Sequence, residues 1–512
     1  MIKISRALIS VSDKTNINKI VSYLDQQNIE IISTGGTYKA IKETAKKVIE
    51  ISDYSGFPEI MNGRVKTLNP AIHGGILADR AKKEHQQEMQ EQNIKPINLV
   101  IVNLYPFAEV VARGAAYEEA IENIDVGGPT MIRAAAKNHK DVVVLTDPED
   151  YDELIAELKA NNNQINVEFS KKMAIKAFAK TAKYDQAIYN WFTKDKAELK
   201  LEASLKQELR YGENPHQKAK LYQFSQAGIL AAEQIQGKEL SYNNIKDADS
   251  AYNLIKEFSE PAAAIIKHAN PCGVAIAEQI DQAFAKALSC DPTSSFGGII
   301  ALNRELDEKT ALLIKPSFYE VIITPKITEA AKVILAAKKN MRILVTGTIE
   351  QAETLNLVSI EGGILAQDAD IINIKAENLE VVSKRKPTKS EMENLLFAFK
   401  AVKHVRSNAV LLAKKQMTIA IGAGQMSRVD SVRVASLKLA DYMASNADFS
   451  SAELVLASDA FFPFPDGVEL AAKAGVKAII QPSGSIRDQE VIAKADELGL
   501  ALVFAKTRHF KH

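Results

Sequence analysis

The sequence is poor in cysteine and tryptophan. Its 512 residues include one tryptophan and two cysteines, Cys272 and Cys290. No CxxC or HExxH pattern is present and no second Cys/His pair completes a zinc site. A disulfide framework and the common structural zinc sites are therefore excluded.

The chain also lacks an excess of charge and any long hydrophobic run. Lys and Arg together number 64, as do Asp and Glu, which argues against a broad surface for nucleic acid or membrane. The N-terminal stretch MIKISRALISVSDKTN carries charges where a signal peptide needs apolar residues. We therefore expect a cytoplasmic protein.

Short β-rich runs alternate with helical patterns from residue 6 to about 146. The runs are 7–11, 29–33, 48–51, 99–104 and 142–145. This alternation predicts a parallel sheet with crossover helices, and Ser12 or Asp13 is the expected cap of the first helix. A polar segment near 195–205 indicates a boundary, and strands and helices alternate again beyond it. We expect domains at 1–199, 200–380 and 381–512.

Two turns in the first region have the composition of an anion site. Ser33, Thr34, Gly35, Gly36 and Thr37 follow a strand and open a helix, where backbone amides attract phosphate; a plain strand-to-helix turn fits equally well. Arg64 and Lys66, next to Thr67, place two cations on one side of an extended segment. A solvated loop is the more frequent explanation for such a basic pair alone.

A phenol, a carboxylate and an ammonium follow. Tyr105 comes after an apolar strand, where ligands bind in open α/β sheets. Asp125 precedes the helix that carries Arg133 and Lys137. Two like charges four residues apart destabilise a helix unless a negative group lies beside them, and Asp125 is a candidate for that group. Together these groups would suit proton transfer beside a phosphate.

The second region places Lys267 and His268 at the end of an apolar strand, before an Asn-Pro turn. A lysine beside a histidine keeps the imidazole neutral enough to act as a base, although an isolated strand-end histidine is more often structural. GAGQMS carries Ser427 where a dinucleotide fingerprint needs its third glycine, and no P-loop occurs. The zinc-deaminase pattern is absent as well.

These segments together resemble the bifunctional purine-biosynthesis family that combines AICAR (aminoimidazole carboxamide ribonucleotide) formyltransferase with IMP cyclohydrolase. ISVSDKT, STGGT, GRVKTL, NLYPF, IDVGGPTMIRAAAKNH, LRYGENPHQ, KHANPCG, DPTSSFGG, GAGQMSR, ASDAFFPF and TRHF run in the family's order. The resemblance implies an α/β protein. A methylglyoxal-synthase-like, doubly wound parallel-sheet domain would precede two cytidine-deaminase-like α/β units without zinc.

The resemblance also implies site residues. In the cyclohydrolase site, the phosphate would be held by Ser12, Lys14, Ser33, Thr34, Gly35, Gly36, Thr37, Arg64, Lys66 and Thr67. Lys66, Tyr105, Asp125 and Lys137 would surround the ring being closed. In the formyltransferase site, His268 would be the base, Lys267 the acid or oxyanion stabiliser, and Asn408 the donor that aligns the substrates. The nucleotide would contact Arg210, Tyr211, Gly297, Glu320, Arg428, Phe461 and Arg508.

By the same resemblance, the cosubstrate is 10-formyltetrahydrofolate, no metal is required, and the chain forms a homodimer with formyltransferase sites at the interface. AICAR, formyl-AICAR and IMP are the expected ligands, with no nucleic acid or membrane partner. Two alternatives stay open: a phosphate-sensing regulatory module in place of the N-terminal catalyst, and a scaffold of duplicated α/β units. The acid-base groups at 66, 105, 125 and 137 argue against pure sensing.

Overall fold

The computed structural model describes residues 1–193, 201–224, 227–349 and 355–512. The chain separates into two compact units, Met1–Lys200 and Leu201–His512. Part of the polar segment predicted as the boundary, residues 194–200, lies outside the described residues. No described helix is both long enough and apolar enough to cross a membrane.

The first unit is built from seven short strands and ten α-helices within its described part. Its strands are β1 Ile2–Lys3, β2 Arg6–Ser10, β3 Glu30–Ser33, β4 Val48–Glu50, β5 Leu99–Val102, β6 Val143–Leu145 and β7 Gln164–Ile165. Its helices are α1 Ile17–Gln26, α2 Gly35–Ile41, α3 Ile51–Ser55, α4 Pro70–Leu77, α5 Lys83–Glu91, α6 Phe107–Ala112, α7 Tyr117–Glu122, α8 Gly127–Lys137, α9 Tyr151–Ala160 and α10 Val167–Thr193.

Five of these strands form one parallel sheet in the order β4-β3-β2-β5-β6. Apolar clusters cover both faces of the sheet, as expected of parallel strands that are buried on both sides. The predicted parallel sheet is confirmed. Because all five strands run the same way, the loops that follow them meet at one edge.

The predicted cap of the first helix is wrong. Helix α1 begins at Ile17 with Asn16 as its N-cap, and the Asn16 side chain makes no capping hydrogen bond. Oδ1 of Asp13 instead accepts hydrogen bonds from the backbone N (2.9 Å) and the hydroxyl (2.7 Å) of Thr15. An aspartate that bonds two residues ahead closes a local turn and delays the helix.

The second unit has sixteen strands and nine α-helices in its described part. Its strands are β8 Ser204–Leu209, β9 Ala219–Gln223, β10 Glu233–Gln236, β11 Ala262–Lys267, β12 Asn270–Ile276, β13 Ile299–Leu302, β14 Val321–Thr324, β15 Arg342–Val345, β16 Leu355–Ile360, β17 Gly363–Asp368, β18 Glu380–Val381, β19 Val410–Lys414, β20 Met417–Gly422, β21 Val455–Ser458, β22 Ala478–Pro482 and β23 Ala501–Ala505. Its helices are α11 Tyr242–Ile255, α12 Ile280–Cys290, α13 Pro292–Ser295, α14 Glu308–Ile314, α15 Glu329–Leu335, α16 Lys389–Val402, α17 Arg428–Ser445, α18 Asp466–Lys473 and α19 Asp488–Glu497.

Twelve strands of this unit form one continuous sheet, β10-β15-β14-β13-β11-β12-β20-β19-β21-β22-β23-β18. The order repeats about its centre. The β11–β12 hairpin leads to β13, β14 and β15, as the β19–β20 hairpin leads to β21, β22 and β23. We call these the first and second repeat.

The two repeats run in opposite directions across the sheet. Strands β12 and β20 pair antiparallel, with Ala275 opposite Met417. The turn of the first hairpin, at residues 268–269, therefore lies at the edge of the sheet opposite the turn at residues 415–416. The predicted division near 381 falls in β18, an edge strand that pairs with β23, and the sheet itself is not interrupted there.

Candidate active sites

The first site lies at the carboxyl edge of the parallel sheet in the first unit. Strands β2, β3 and β5 end there, followed by Ser12, the Gly35–Gly36 turn and Tyr105. Asn103, which sequence reasoning did not select, joins two of these loops. Its Oδ1 accepts from the backbone N of Ser12 (2.6 Å) and of Asp13 (3.0 Å), and its Nδ2 donates to the Asp13 carbonyl at 2.8 Å.

The Gly35–Gly36 turn faces open space. A Cβ built on either glycine would meet no heavy atom within 4 Å, and Gly35 has a φ of 29°. The neighbouring hydroxyls brace the strands: Ser33 Oγ donates to the Ile9 carbonyl at 2.9 Å and Thr37 Oγ1 donates to the Val11 carbonyl at 3.0 Å. The open backbone of the glycines, rather than these two hydroxyls, is what a phosphate can reach.

Asp125 lies partly buried where three segments meet. Its Oδ1 accepts from the backbone N of Gly128 at 2.8 Å. Burial raises the pKa of the Asp125 carboxyl, and the backbone hydrogen bonds from Gly128 and Tyr105 and the charge of Lys66 oppose that shift. The structure therefore brings Lys66, Tyr105 and Asp125 together, an arrangement whose groups would suit proton transfer.

Tyr184 on α10 positions the Asp125 loop. Its hydroxyl accepts from the backbone N of Asp125 at 2.8 Å and donates to the Asn123 carbonyl at 3.1 Å. Burial raises the pKa of Tyr184 to about 12, so the phenol stays neutral and keeps both bonds. Sequence reasoning missed this residue because it lies about sixty residues away from the loop it holds.

Other predicted residues of this site are placed differently. Thr67 is buried, and Lys14 is exposed with its Nζ donating to the Ser12 carbonyl at 3.3 Å. Arg64 is exposed and pairs with Glu122. Lys137 ends α8, the helix that begins at Gly127 beside Asp125. Ten steps of helix span about 15 Å along its axis, and the placement of the Lys137 ammonium beside Asp125 stays a prediction.

The second site lies at the β11–β12 turn in the second unit. His268 is exposed and Lys267 is half-buried. Lys267 Nζ donates to the Phe296 carbonyl at 2.8 Å, next to the predicted Gly297. The Asn270 side chain accepts from the backbone N of Arg406 at 2.9 Å, which brings the Arg406–Ser407–Asn408 segment to the same edge.

A cavity of about 370 Å³ opens beside this turn. It is lined by Lys267, His268, Asn270, Pro271, Cys272, Cys290, Asp291, Ser294, Ala420, Ile421, Ala423, Val434 and Lys438. Burial raises the pKa of both cysteine thiols to about 12. The two thiols are therefore protonated near neutral pH, and they are not expected to act as nucleophiles.

The side chains of Asn408 and Arg428 bind to other groups of the protein. Asn408 Nδ2 donates to the carbonyls of Gln425 (2.9 Å) and Met426 (3.1 Å), and its Oδ1 accepts from Arg428 at 2.8 Å. The Arg428 guanidinium also forms a buried ion pair with Asp459. The predicted role of Asn408 as the donor that aligns the substrates stays a prediction, since in this structure its Nδ2 donates to protein carbonyls.

The remaining predicted residues reach the same edge by different routes. Glu320 pairs with Arg342 at 2.5 Å, and its backbone N donates to Gly298. Arg210 stacks on Tyr211, and their loop is tied to α11 by the Glu213–Lys246 ion pair at 2.6 Å. Phe461 and Arg508 lie close to Asp459. Phe461 follows Asp459 by two residues in the chain, and Arg508 precedes His509, whose backbone N donates to the Asp459 carbonyl at 2.9 Å.

Comparison with known proteins identifies the family. A family model described as AICARFT/IMPCHase bienzyme matches residues 135–438, and a model of the MGS-like domain matches residues 16–130. The chain belongs to the AICARFT/IMPCHase family. It is 51% identical to the bifunctional purine biosynthesis protein PurH of Rhodospirillum rubrum, over 99% of each chain. The corresponding protein of Bacillus thuringiensis is 50% identical, again over 99% of each chain.

Membership in this family confirms the main function predicted from the sequence. The chain is a bifunctional enzyme of purine biosynthesis, with AICAR formyltransferase and IMP cyclohydrolase activity, and it acts on small molecules with a folate cosubstrate. The regulatory-module and scaffold alternatives are not supported. The methylglyoxal-synthase-like N-terminal region is also confirmed. The chain is also similar to the crystal structure of ForH, at 34% identity over 37% of this chain and 99% of that chain, with a TM-score of 0.33.

Proposed function

We propose that the two reactions use the two sites described above, one in each unit. The observation that supports this assignment is the separation of acid-base groups. Lys66, Tyr105 and Asp125 meet within Met1–Lys200, whereas Lys267 and His268 lie within Leu201–His512. Ring closure is assigned to the first unit and formyl transfer to the second.

Ring closure needs a base and a cation beside the formyl group. The carboxamide nitrogen of formyl-AICAR bonds to the formyl carbon and loses one proton. The formamide nitrogen loses another, and the formyl oxygen departs with both as water. Asp125, as carboxylate, accepts the carboxamide proton, and Lys66 stabilises the oxyanion that develops on the formyl oxygen. The Gly35–Gly36 turn, Lys14 and Arg64 hold the phosphate, while Lys137 enters this assignment on the family resemblance alone.

Formyl transfer needs a base for the amine and an acid for the folate. The amine nitrogen of AICAR bonds to the formyl carbon of 10-formyltetrahydrofolate, and the bond from that carbon to the folate nitrogen breaks. His268 accepts the amine proton, and Lys267 protonates the leaving folate nitrogen. The exposed position of His268 and the neighbouring cavity support this arrangement. In this assignment Asn408 and Arg428 stabilise the wall of the site through the hydrogen bond between them.

The finer structural assignments are also proposals. Each repeat follows a hairpin with parallel strands, which supports two cytidine-deaminase-like units without zinc. No group of three or more His, Cys, Asp or Glu side chains among the described residues could hold a metal ion. On the family resemblance we propose that neither reaction requires a metal. The β16–β17 hairpin exposes Val358, Ile364 and Leu365 by half or more, which favours a homodimer because such patches mark interfaces. We propose a cytoplasmic location, with no nucleic acid or membrane partner.

Expression of residues 1–200 alone tests the assignment. We expect this fragment to fold and to convert formyl-AICAR to IMP, because every residue assigned to ring closure lies within it. The matched fragment 201–512 should formylate AICAR but leave formyl-AICAR unconverted. A folded but inactive first fragment would show that the second unit supplies part of the cyclohydrolase site.

A further inference from the structure

The turn that carries His268 is held by a carboxylate outside the proposed acid-base pair. Asp247 lies on α11, and its side chain receives two backbone hydrogen bonds from the turn. Oδ2 accepts from the His268 N at 3.0 Å and Oδ1 accepts from the Ala269 N at 2.8 Å. Each carboxylate oxygen thus fixes one residue of the turn.

The turn needs such support because of its backbone conformation. His268 and Ala269 have φ values of 53° and 57°, in the left-handed region that residues other than glycine rarely adopt. Hydrogen bonds to a charged acceptor are stronger than those between neutral groups. The Asp247 carboxylate therefore favours the conformation that presents the His268 side chain next to Lys267.

The second repeat has a corresponding turn, which is held by one such side-chain hydrogen bond instead of two. Its turn, Lys415 and Gln416, has φ values of 51° and 52°. Asn394 is the sixth residue of α16, as Asp247 is the sixth residue of α11. Oδ1 of Asn394 accepts from the Gln416 N at 2.8 Å, which corresponds to the bond between Asp247 and Ala269.

The repeats differ in the second acceptor oxygen. An asparagine side chain offers one oxygen and an NH₂ group, whereas an aspartate offers two oxygens. The extra oxygen in the first repeat is the one that binds the His268 amide. A turn without the extra bond is thus compatible with the fold, and the extra bond is present where a base is assigned.

We propose that Asp247 is a positioning residue for formyl transfer, which fixes His268 through the His268 backbone amide. This inference rests on the proposed role of His268. Asp247 does not touch the reacting atoms; it sets the direction in which the imidazole meets the amine. Small displacements of a catalytic group are costly, with about 1 Å costing on the order of 10²-fold in rate.

The substitution Asp247→Asn tests this role, because it recreates in the first repeat the arrangement that Asn394 shows in the second. The Ala269 bond is kept and the acceptor for the His268 amide is lost. We expect kcat for formyl transfer to fall by about 10- to 100-fold, with KM for AICAR and a melting temperature close to those of the unmodified enzyme. Ring closure, measured with formyl-AICAR on the same sample, should be unchanged.

Two further variants separate the possible outcomes. Asn394→Ala removes the matching bond from the second repeat, and we expect a lower melting temperature with an unchanged kcat per folded molecule. His268→Ala tests the proposed function itself. If His268→Ala is severely impaired while Asp247→Asn keeps the kcat of the unmodified enzyme, the positioning role is wrong. If His268→Ala is itself active, the assignment of the base is wrong. Equal losses of kcat in Asp247→Asn and Asn394→Ala would also contradict the inference.

Discussion

The two sites are built on sheets of different topology. In the first unit all five strands are parallel, so the loops after β2, β3 and β5 converge at one edge. In the second unit the repeats run in opposite directions, so one edge receives the starts of β13 and β14 together with the end of β21. A site on a parallel sheet gathers residues that follow strands, whereas this second site also gathers residues that precede them.

The difference extends to the electrostatics of the two proposed bases. Asp125 is partly buried and its pKa is raised by burial, whereas His268 is exposed at a turn that is fixed by backbone hydrogen bonds. In the first site the environment adjusts the acidity of the base. In the second site the structure mainly fixes the position of the base. The following predictions test this contrast.

The largest effect is expected for His268→Ala. A positioned general base contributes about 10²- to 10⁴-fold, so formyl transfer should fall by that factor while ring closure stays unchanged. Release of tetrahydrofolate upon addition of AICAR measures the first activity, and IMP formation from formyl-AICAR measures the second. Retention of more than about a tenth of the formyl transfer rate would remove His268 from the catalytic role.

Asp125→Asn should have the converse effect, with ring closure lowered by about 10²-fold or more and formyl transfer retained. Asparagine can still accept the Gly128 hydrogen bond, so the loop should keep its conformation. In the unmodified enzyme, ring closure should decline as the pH falls through the raised pKa of Asp125, because the base must be ionised. A decline that begins only at the pH typical of an exposed carboxyl would contradict the role of burial.

Arg428→Ala should act mainly on stability. Removal of the guanidinium leaves the fully buried Asp459 carboxylate unpaired, which typically costs about 3–5 kcal/mol of unfolding free energy. Denaturant unfolding measures this loss. Formyl transfer per folded molecule should fall less than in His268→Ala. A raised KM for AICAR with unchanged stability would instead restore the predicted nucleotide contact.

The smallest effect is expected for Glu122→Gln in the first site. The Arg64–Glu122 pair is exposed, and exposed ion pairs contribute little to stability, so the melting temperature should stay the same. Release of Arg64 from its partner should lower KM for formyl-AICAR if Arg64 contacts the phosphate. An unchanged KM would indicate that the Gly35–Gly36 turn and its neighbours bind the phosphate without Arg64.

Sequence reasoning placed several residues at the loops that surround the first candidate site, because strand ends can be recognised locally. Tyr105 and the Gly35–Gly36 turn each follow an apolar run, and parallel topology brings such residues together. The predicted meeting of Asp125 and Lys137 stays a prediction, because the helix between them separates the two residues along its axis. Tyr184 could not be found, since its contact with Asp125 depends on how α10 packs.

In the second unit the strands were predictable but their partners were not. The predicted alternation of strands and helices is present from β10 to β23, whereas the single sheet that runs through both parts of this region was not predicted. The reversed direction of the second repeat, which brings Arg428 to Asp459 and Asn408, depends on long-range pairing. The resemblance implies that Arg428 contacts the nucleotide, and the structure shows that this arginine also has a buried protein partner.

The central claim is that two independent sites act in sequence, with formyl-AICAR as the product of one and the substrate of the other. A mixture of two variants, each inactive in one of the two reactions, tests this claim most directly. With AICAR and 10-formyltetrahydrofolate supplied, Asp125→Asn should stop at formyl-AICAR and His268→Ala should leave AICAR unconverted. The equimolar mixture should produce IMP, because one variant makes the intermediate that the other closes. Failure of the mixture to form IMP, with both variants folded and each retaining its own half-reaction, would contradict the account.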